Sequence, residues 1–241
     1  MDVQAAPTEE WARTRRMRRM RAAIQSGLMF PALSSFCRLT VNDRERLRGL
    51  NGPAVFVSNH VSALDAVVMA EALPRRYRNR SVVAAAADSI FKRKWEARLA
   101  QVTVDAYPIP RGGGARPHLE FLKGLLEDNW SVIIFPEGRL TSTGAIGSFR
   151  KGAAILAMDA GVPIVPAYMD GMFEVMPRFR RIPRPGHVTL TFGDPVVPEP
   201  QDDYDSLIAR VERMVRRLAG PKGDPVEPPS GARSEGPTYW Y

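Results

Sequence analysis

His60 and Asp65 stand in the run Val55-Phe-Val-Ser-Asn-His-Val-Ser-Ala-Leu-Asp65, a histidine and a carboxylate with four residues between them. A carboxylate bonded to one imidazole nitrogen fixes the tautomer and leaves the other nitrogen as a base. Such a base can take the proton of a substrate hydroxyl. Ala54 to Ser58 reads as a buried strand, and Ser62 to Leu73 as a helix ended by Pro74. His60 then falls at the carboxyl end of a strand, where the sites of α/β folds gather, with Asp65 one turn into the helix. The same letters also spell a capping box, with Ser62 as N-cap and Asp65 at N3. The two roles overlap, because a capping Asp65 can still orient His60.

Three further places carry candidate chemistry. Arg111 precedes Gly112-Gly113-Gly114, and an arginine beside exposed backbone amides can bind phosphate. No Gly-Lys-Ser/Thr follows, so this is not a P-loop, and a flexible surface loop is the alternative. Phe135-Pro136-Glu137-Gly138-Arg139 follows an apolar strand. There Pro136 and Gly138 bend the chain outward, which is expected to expose Glu137 and Arg139. The alternative is a strand-ending turn with a surface ion pair of little consequence. Phe149-Arg150-Lys151 leads into a helix opening with Gly152-Ala153-Ala154. That N-terminus is a candidate anion site reinforced by Lys151, although the small residues also allow close helix-to-sheet packing.

The elements that must position these groups alternate. Strands are expected over Ala54–Ser58, Ser81–Ala87, Ser131–Phe135, Val162–Tyr168 and Val188–Phe192. Helices are expected over Ser62–Leu73, Ile90–Ala100, Pro117–Asp128, Lys151–Ala160 and Tyr204–Leu218. This alternation predicts an α/β fold in which helices cover a sheet. Residues 1–10 and 220–241 are expected to be disordered, the latter rich in Gly, Pro, Ser and charge.

Composition narrows the function. The chain has 241 residues, enough for one α/β domain, and 44% hydrophobic residues, too few for a polytopic membrane protein. A net charge of +8 calls for an anionic partner: anionic lipid, nucleic acid or a phosphorylated metabolite. Residues 11–39 read as an amphipathic helical region. Arg13, Arg15, Arg16, Arg18, Arg19 and Arg21 precede Ile24, Leu28, Met29, Phe30, Leu33 and Phe36, a composition that suits a bilayer interface or a helix packed on the core. The start imitates a signal peptide but lacks a clear cleavage site, and no run is long enough to span a membrane. A single Cys37 excludes an internal disulfide. Three histidines and one cysteine form no metal-ligand pattern, and no Gly-x-Ser-x-Gly elbow predicts a serine acyl-enzyme. Clusters such as Arg178, Arg180, Arg181 and Arg184, interleaved with Phe179 and Ile182, suit a lipid headgroup interface and would also suit RNA.

Taken in order, Asn59-His60-x4-Asp65, Tyr107-Pro-Ile-Pro-Arg111, Phe135-Pro-Glu-Gly138 and Val162-Pro-Ile-Val-Pro166 resemble the four motifs of the 1-acylglycerol-3-phosphate acyltransferase family, the lysophospholipid and glycerolipid acyltransferases. Phe149-Arg-Lys-Gly-Ala153 also matches the family's pattern after the third motif. The resemblance implies a mixed, mostly parallel sheet flanked by helices, with an N-terminal amphipathic region over 11–39 and an acyltransferase domain over 40–219. It implies that His60 is the base and Asp65 orients it, while Arg111, Glu137, Gly138, Arg139 and Lys151 bind the acceptor. The acceptor would be a lysophospholipid, foremost 1-acylglycerol-3-phosphate. Acyl-CoA or acyl-carrier protein would be co-substrate, with no other cofactor and no metal. The resemblance further implies a peripheral or monotopic protein on anionic lipid at the cytoplasmic face of the cell membrane, without nucleic acid as partner. One departure concerns the acceptor. The family commonly reads Glu-Gly-Thr-Arg-Ser, whereas Arg139 here follows Gly138 directly, as in the branch that acylates lysophosphatidylethanolamine. An amino-acid lipid or glycolipid acceptor, or a non-catalytic basic module that binds membrane or nucleic acid, are the alternatives.

Overall fold

The computed structural model describes residues 10–88, 91, 93–111, 114–180 and 182–223. The expectations for 1–9, Gly112, Gly113 and 224–241 lie outside the described residues. In chain order the elements are α1 (Arg15–Ile24), α2 (Phe30–Ser34), β1 (Cys37–Asn42), β2 (Val55–Val57), α3 (Asp65–Ala72), α4 (Arg75–Arg78), β3 (Ser81–Ala86), α5 (Lys94–Val104), β4 (Ala106–Ile109), α6 (Arg116–Glu127), β5 (Ser131–Ile134), α7 (Gly152–Ala160), β6 (Ile164–Asp170), α8 (Met172–Val175), β7 (Gly186–Phe192) and α9 (Tyr204–Ala219). A π-helical turn, Gln25–Met29, joins α1 to α2.

The strands form one sheet in the order β1-β7-β6-β2-β5-β3-β4. β6, β2, β5, β3 and β4 run parallel, β7 pairs antiparallel with β6, and β1 pairs parallel with β7. The mixed, mostly parallel sheet is the one expected. Side chains alternate across it. Val55, Val57, Val132 and Ile164 face a core built with α6, α7 and α9, while Phe56, Ile133 and Val165 face a second core built with α3 and Leu33. Every residue of β2 is buried, as befits a central strand covered on both faces. Pro108 is accommodated because β4 is an edge strand, where a missing N–H costs no ladder bond.

α9 shows how pattern becomes packing. Leu207, Ile208, Val211 and Val215 recur at helical spacing and are all buried. The Asp203 carboxylate accepts the Ser206 N–H while Ser206 Oγ accepts the Asp203 N–H, and this reciprocal cap starts the helix.

The N-terminal region departs from its amphipathic expectation in two ways. Cys37 to Leu39 belong to the sheet as the start of β1, an edge strand missed because its alternation follows an apolar stretch without a turn signal. Arg21 is also not a surface cation. It is 4% exposed, donates from Nη1 to Asp105 Oδ2 at 3.2 Å, and donates from Nη2 to the carbonyls of Gln101 and Ala12. Its Nε–H goes to the Val102 carbonyl. The guanidinium thus satisfies the last carbonyls of α5 at the negative end of that helix. Gln25 adds a bond to the Thr103 carbonyl at 2.8 Å. Gly220–Gly223, expected to open the tail, instead form a 3₁₀ turn against α9, with Arg216 donating to the Gly223 carbonyl.

Candidate active site

β2 ends at Val57, and Ser58, Asn59 and His60 leave the sheet at its carboxyl end. The Asn59 side chain continues the ladder the backbone has dropped: its amide donates to the Met169 carbonyl at 2.9 Å and its oxygen accepts the Met169 N–H at 2.8 Å. Both groups are buried, so this pair ties the start of the site loop to β6.

His60 Nδ1 lies 2.9 Å from Asp65 Oδ2. The same oxygen accepts the Val61 N–H at 2.7 Å and the Ser62 N–H at 2.9 Å. Asp65 therefore opens α3 as its first residue, three positions later than the expected helix start. It satisfies two backbone donors there and also holds the imidazole. The capping and orienting roles coincide on one atom. Asp65 is fully buried, and its Oδ2 is the shared partner of the imidazole and of two backbone amides. In the tautomer whose Nδ1–H donates to Asp65, Nε2 is the base, and among the described residues it has no hydrogen-bond partner. The ring stacks on Phe135, centroids 4.4 Å apart and planes at 17°.

Glu137 corrects the sequence reading. The loop turns as expected, with Gly138 at φ +70° and its N–H on the Phe135 carbonyl. Yet Glu137 points inward and is 7% exposed. Oε1 accepts the His60 N–H at 2.9 Å and Oε2 accepts the Gly147 N–H at 3.0 Å. It binds the site's own backbone, because an exposed turn around it leaves two amides needing acceptors inside. Burial raises its carboxyl above the usual range, and those two amides and His60 oppose that shift. The Thr141 N–H donates to the His60 carbonyl at 2.9 Å, so the 137–141 loop grips His60 at both backbone groups.

His60 opens onto a cavity of about 990 Å³. One part of the lining is apolar: Ala84, Ala86, Val104, Ile109, Leu119 and Ile134. The other part is cationic, with Arg111, Arg139, Arg150 and Arg178. Arg150 has its pKa lowered by burial first and then by Arg111 and Arg139, so its guanidinium lies within the field of both. Four arginines lining one cavity suit an anion. Arg111 also bonds Asp88 Oδ2 at 2.9 Å. Gly138 is needed where it stands: besides its positive φ, a Cβ there would lie 2.9 Å from Arg150 Nε.

Of the residues singled out in the sequence, the fold brings together His60, Asp65, Arg111, Glu137, Gly138 and Arg139. It does not bring Lys151, whose Nζ lies 2.8 Å from Asp205 Oδ2 over α9 and away from the cavity. Arg150 takes that place, since its N–H is fixed to the Pro136 carbonyl and its side chain faces the cavity. Neighbours in a loop point apart, and no periodicity tells which one faces inward. Arg178 was visible only as one of a basic cluster.

Residues 38–170 match the family model described as Acyltransferase. The chain belongs to the acyltransferase family. It is 32% identical over 145 residues to a chloroplastic 1-acyl-sn-glycerol-3-phosphate acyltransferase of Arabidopsis thaliana, covering 59% of this chain and 38% of that one. It is 31% identical over 169 residues to the alpha 1-acyl-sn-glycerol-3-phosphate acyltransferase of Mus musculus, covering 68% and 57%. The chain thus spans about two fifths to three fifths of the length of the curated relatives it matches. Its fold is similar to that of the 1-acyl-sn-glycerophosphate acyltransferase of Thermotoga maritima, with a TM-score of 0.61 at 22% identity, covering 85% of this chain and 77% of that one.

Proposed function

We propose that this member of the acyltransferase family transfers a fatty acyl chain from a thioester, acyl-CoA or acyl-carrier protein, to the free hydroxyl of 1-acylglycerol-3-phosphate, giving phosphatidic acid. The observation that carries the reading is His60, held by Asp65 at 2.9 Å and opening onto a cavity that is apolar on one part and lined by arginines on another. Nε2 takes the hydroxyl proton as the oxygen attacks the thioester carbonyl. Asp65 stabilises the imidazolium formed. The C–S bond breaks, and the departing thiolate takes the proton back from Nε2. Attack is direct, without an acyl-enzyme. Arg111, Arg139 and Arg150 hold the acceptor phosphate, and the apolar lining holds an acyl chain. The protein works at the cytoplasmic face of a membrane carrying anionic lipids.

The test is an acceptor panel with oleoyl-CoA and oleoyl-carrier protein, with products identified by mass spectrometry. Phosphatidic acid from lysophosphatidic acid, with monoacylglycerol a poor acceptor, supports the reading. Equal use of monoacylglycerol contradicts the phosphate site, and no product with any acceptor and donor contradicts acyl transfer. Preference for lysophosphatidylethanolamine would follow the position of Arg139 directly after Gly138.

A further inference from the structure

Glu212 and Arg216 form an ion pair one turn apart on α9. On an exposed helix face such a pair adds little. Here both side chains are half-buried, and each also binds backbone from a distant part of the chain. Glu212 Oε1 accepts from Arg216 Nε at 2.9 Å and from Nη2 at 2.8 Å. Glu212 Oε2 accepts the Phe149 N–H at 2.8 Å. Arg216 Nη2 also donates to the carbonyls of Ile146 and Gly147, at 3.2 and 3.3 Å. Residues 135–151, between β5 and α7, form no helix or strand, so their backbone groups must find partners outside a ladder. α9 supplies three of them.

The segment held this way reaches the candidate site along two routes. The Gly147 N–H donates to Glu137 Oε2, and Glu137 Oε1 accepts the His60 N–H. Gly147 is thus bonded through both its backbone groups, to α9 by its carbonyl and toward His60 by its amide. The approach is close, since a Cβ at Gly147 would lie 2.9 Å from Glu137 Oε2. Along the second route, Arg150 directly follows Phe149, bonds the Pro136 carbonyl through its N–H and lines the cavity. Ile146 is buried in the same core as Val211 and Val215 of α9, which anchors the start of the segment. α9 lies beyond residues 38–170, so the motifs of the matched segment do not include this pair.

We propose that Glu212 and Arg216 are positioning residues for acyl transfer. Acting across the backbone of residues 146–149, they set Arg150 for the acceptor's phosphate and, through Glu137, the main chain of His60. Neither touches substrate. The kinetic consequence rests on the acyl-transfer reading, whereas the coupling itself is measured without turnover.

The test compares Arg216→Met, which keeps the length of the side chain and removes its donors, with Arg213→Met, exposed on the same helix. With oleoyl-CoA and lysophosphatidic acid, Arg216→Met is expected to lower kcat/KM by about tenfold or more, because a small displacement of a positioned group is costly. Arg213→Met should stay within about twofold of wild type. A role in folding alone would lower stability and leave both constants unchanged below the melting transition. The rise in KM for the acceptor should disappear when Arg216→Met is combined with Arg150→Ala, since the two then act through one group. Glu212→Gln, nearly isosteric, should shift the same constants in the same direction by a smaller factor, and it carries the test if Arg216→Met does not fold. Hydrogen–deuterium exchange reads the coupling directly: amides of residues 146–150 and of His60 should exchange faster in Arg216→Met and not in Arg213→Met. A folded Arg216→Met protein with both constants within about twofold of wild type, a KM effect that persists in full beside Arg150→Ala, or unchanged exchange at these amides would overturn the proposal. If wild type turns over no acceptor, the acyl-transfer reading falls, and the exchange measurement alone decides whether α9 holds the site.

Discussion

The Glu137 carboxylate accepts the backbone N–H of His60 at 2.9 Å, so the loop after β5 fixes the main chain of the loop after β2. Asp65 fixes the side chain of the same histidine. His60 is thus held from two neighbouring strands, and the base cannot drift without breaking bonds to buried partners.

Glu137→Gln tests that arrangement. A carboxylate accepts from both the His60 and Gly147 amides, whereas a carboxamide presents one acceptor and sets an NH₂ against the other N–H. A loss of about 1–3 kcal/mol in stability is expected. The substitution should lower kcat more than it raises the KM for the acceptor, as read by denaturant unfolding and steady-state kinetics.

Arg150 and Lys151 adjoin in sequence but face different ways, toward the cavity and toward Asp205. Arg150→Ala is expected to raise the KM for a phosphate-bearing acceptor by about tenfold or more, the loss of a charge-assisted hydrogen bond. Lys151→Ala, removing an exposed ion pair, should leave it within about twofold. Gly138→Ala should resemble Arg150→Ala, because its Cβ would displace that guanidinium.

The buried Arg21–Asp105 pair ties α1 to the end of α5. Arg21→Met leaves Asp105 with less compensation and α5 carbonyls without donors. A loss of about 3 kcal/mol is expected in thermal or denaturant unfolding.

Glu71 supplies a pH prediction. Its Oε2 is buried and has no hydrogen-bond partner among the described residues, and burial raises its pKa above 4.5 despite Arg78 and Arg44. The folded state then holds the proton more tightly than the unfolded chain. Stability from this group is full below the ordinary carboxylate pKa and falls as pH rises through the raised one. Glu71→Gln should therefore gain in Tm relative to wild type between pH 4 and pH 7, and a gap that does not widen over that range contradicts it.

Much of this was legible in sequence where local pattern and tertiary outcome agree. β2, β5 and α9 are apolar runs or helical stripes, and each forms close to where its pattern places it. His60 and Asp65 are close in sequence, so their meeting follows from a strand end and a helix start. β1 was hidden because an edge strand half in solvent has too few apolar positions to stand out from the helix before it. The inward turn of Glu137 was hidden because its partners, the His60 and Gly147 amides, come from elsewhere in the chain. The choice of Arg150 over Lys151 depends on a loop conformation that composition does not encode.

The central claim is that His60 removes the acceptor's proton. The direct measurement is thiol release from oleoyl-CoA with lysophosphatidic acid in mixed micelles, comparing wild type with His60→Ala. The expected result is a fall in kcat of about 10²–10⁴-fold, with the folded circular dichroism spectrum kept at the assay temperature. A His60→Ala protein that keeps its fold and releases thiol at the wild-type rate would contradict the account.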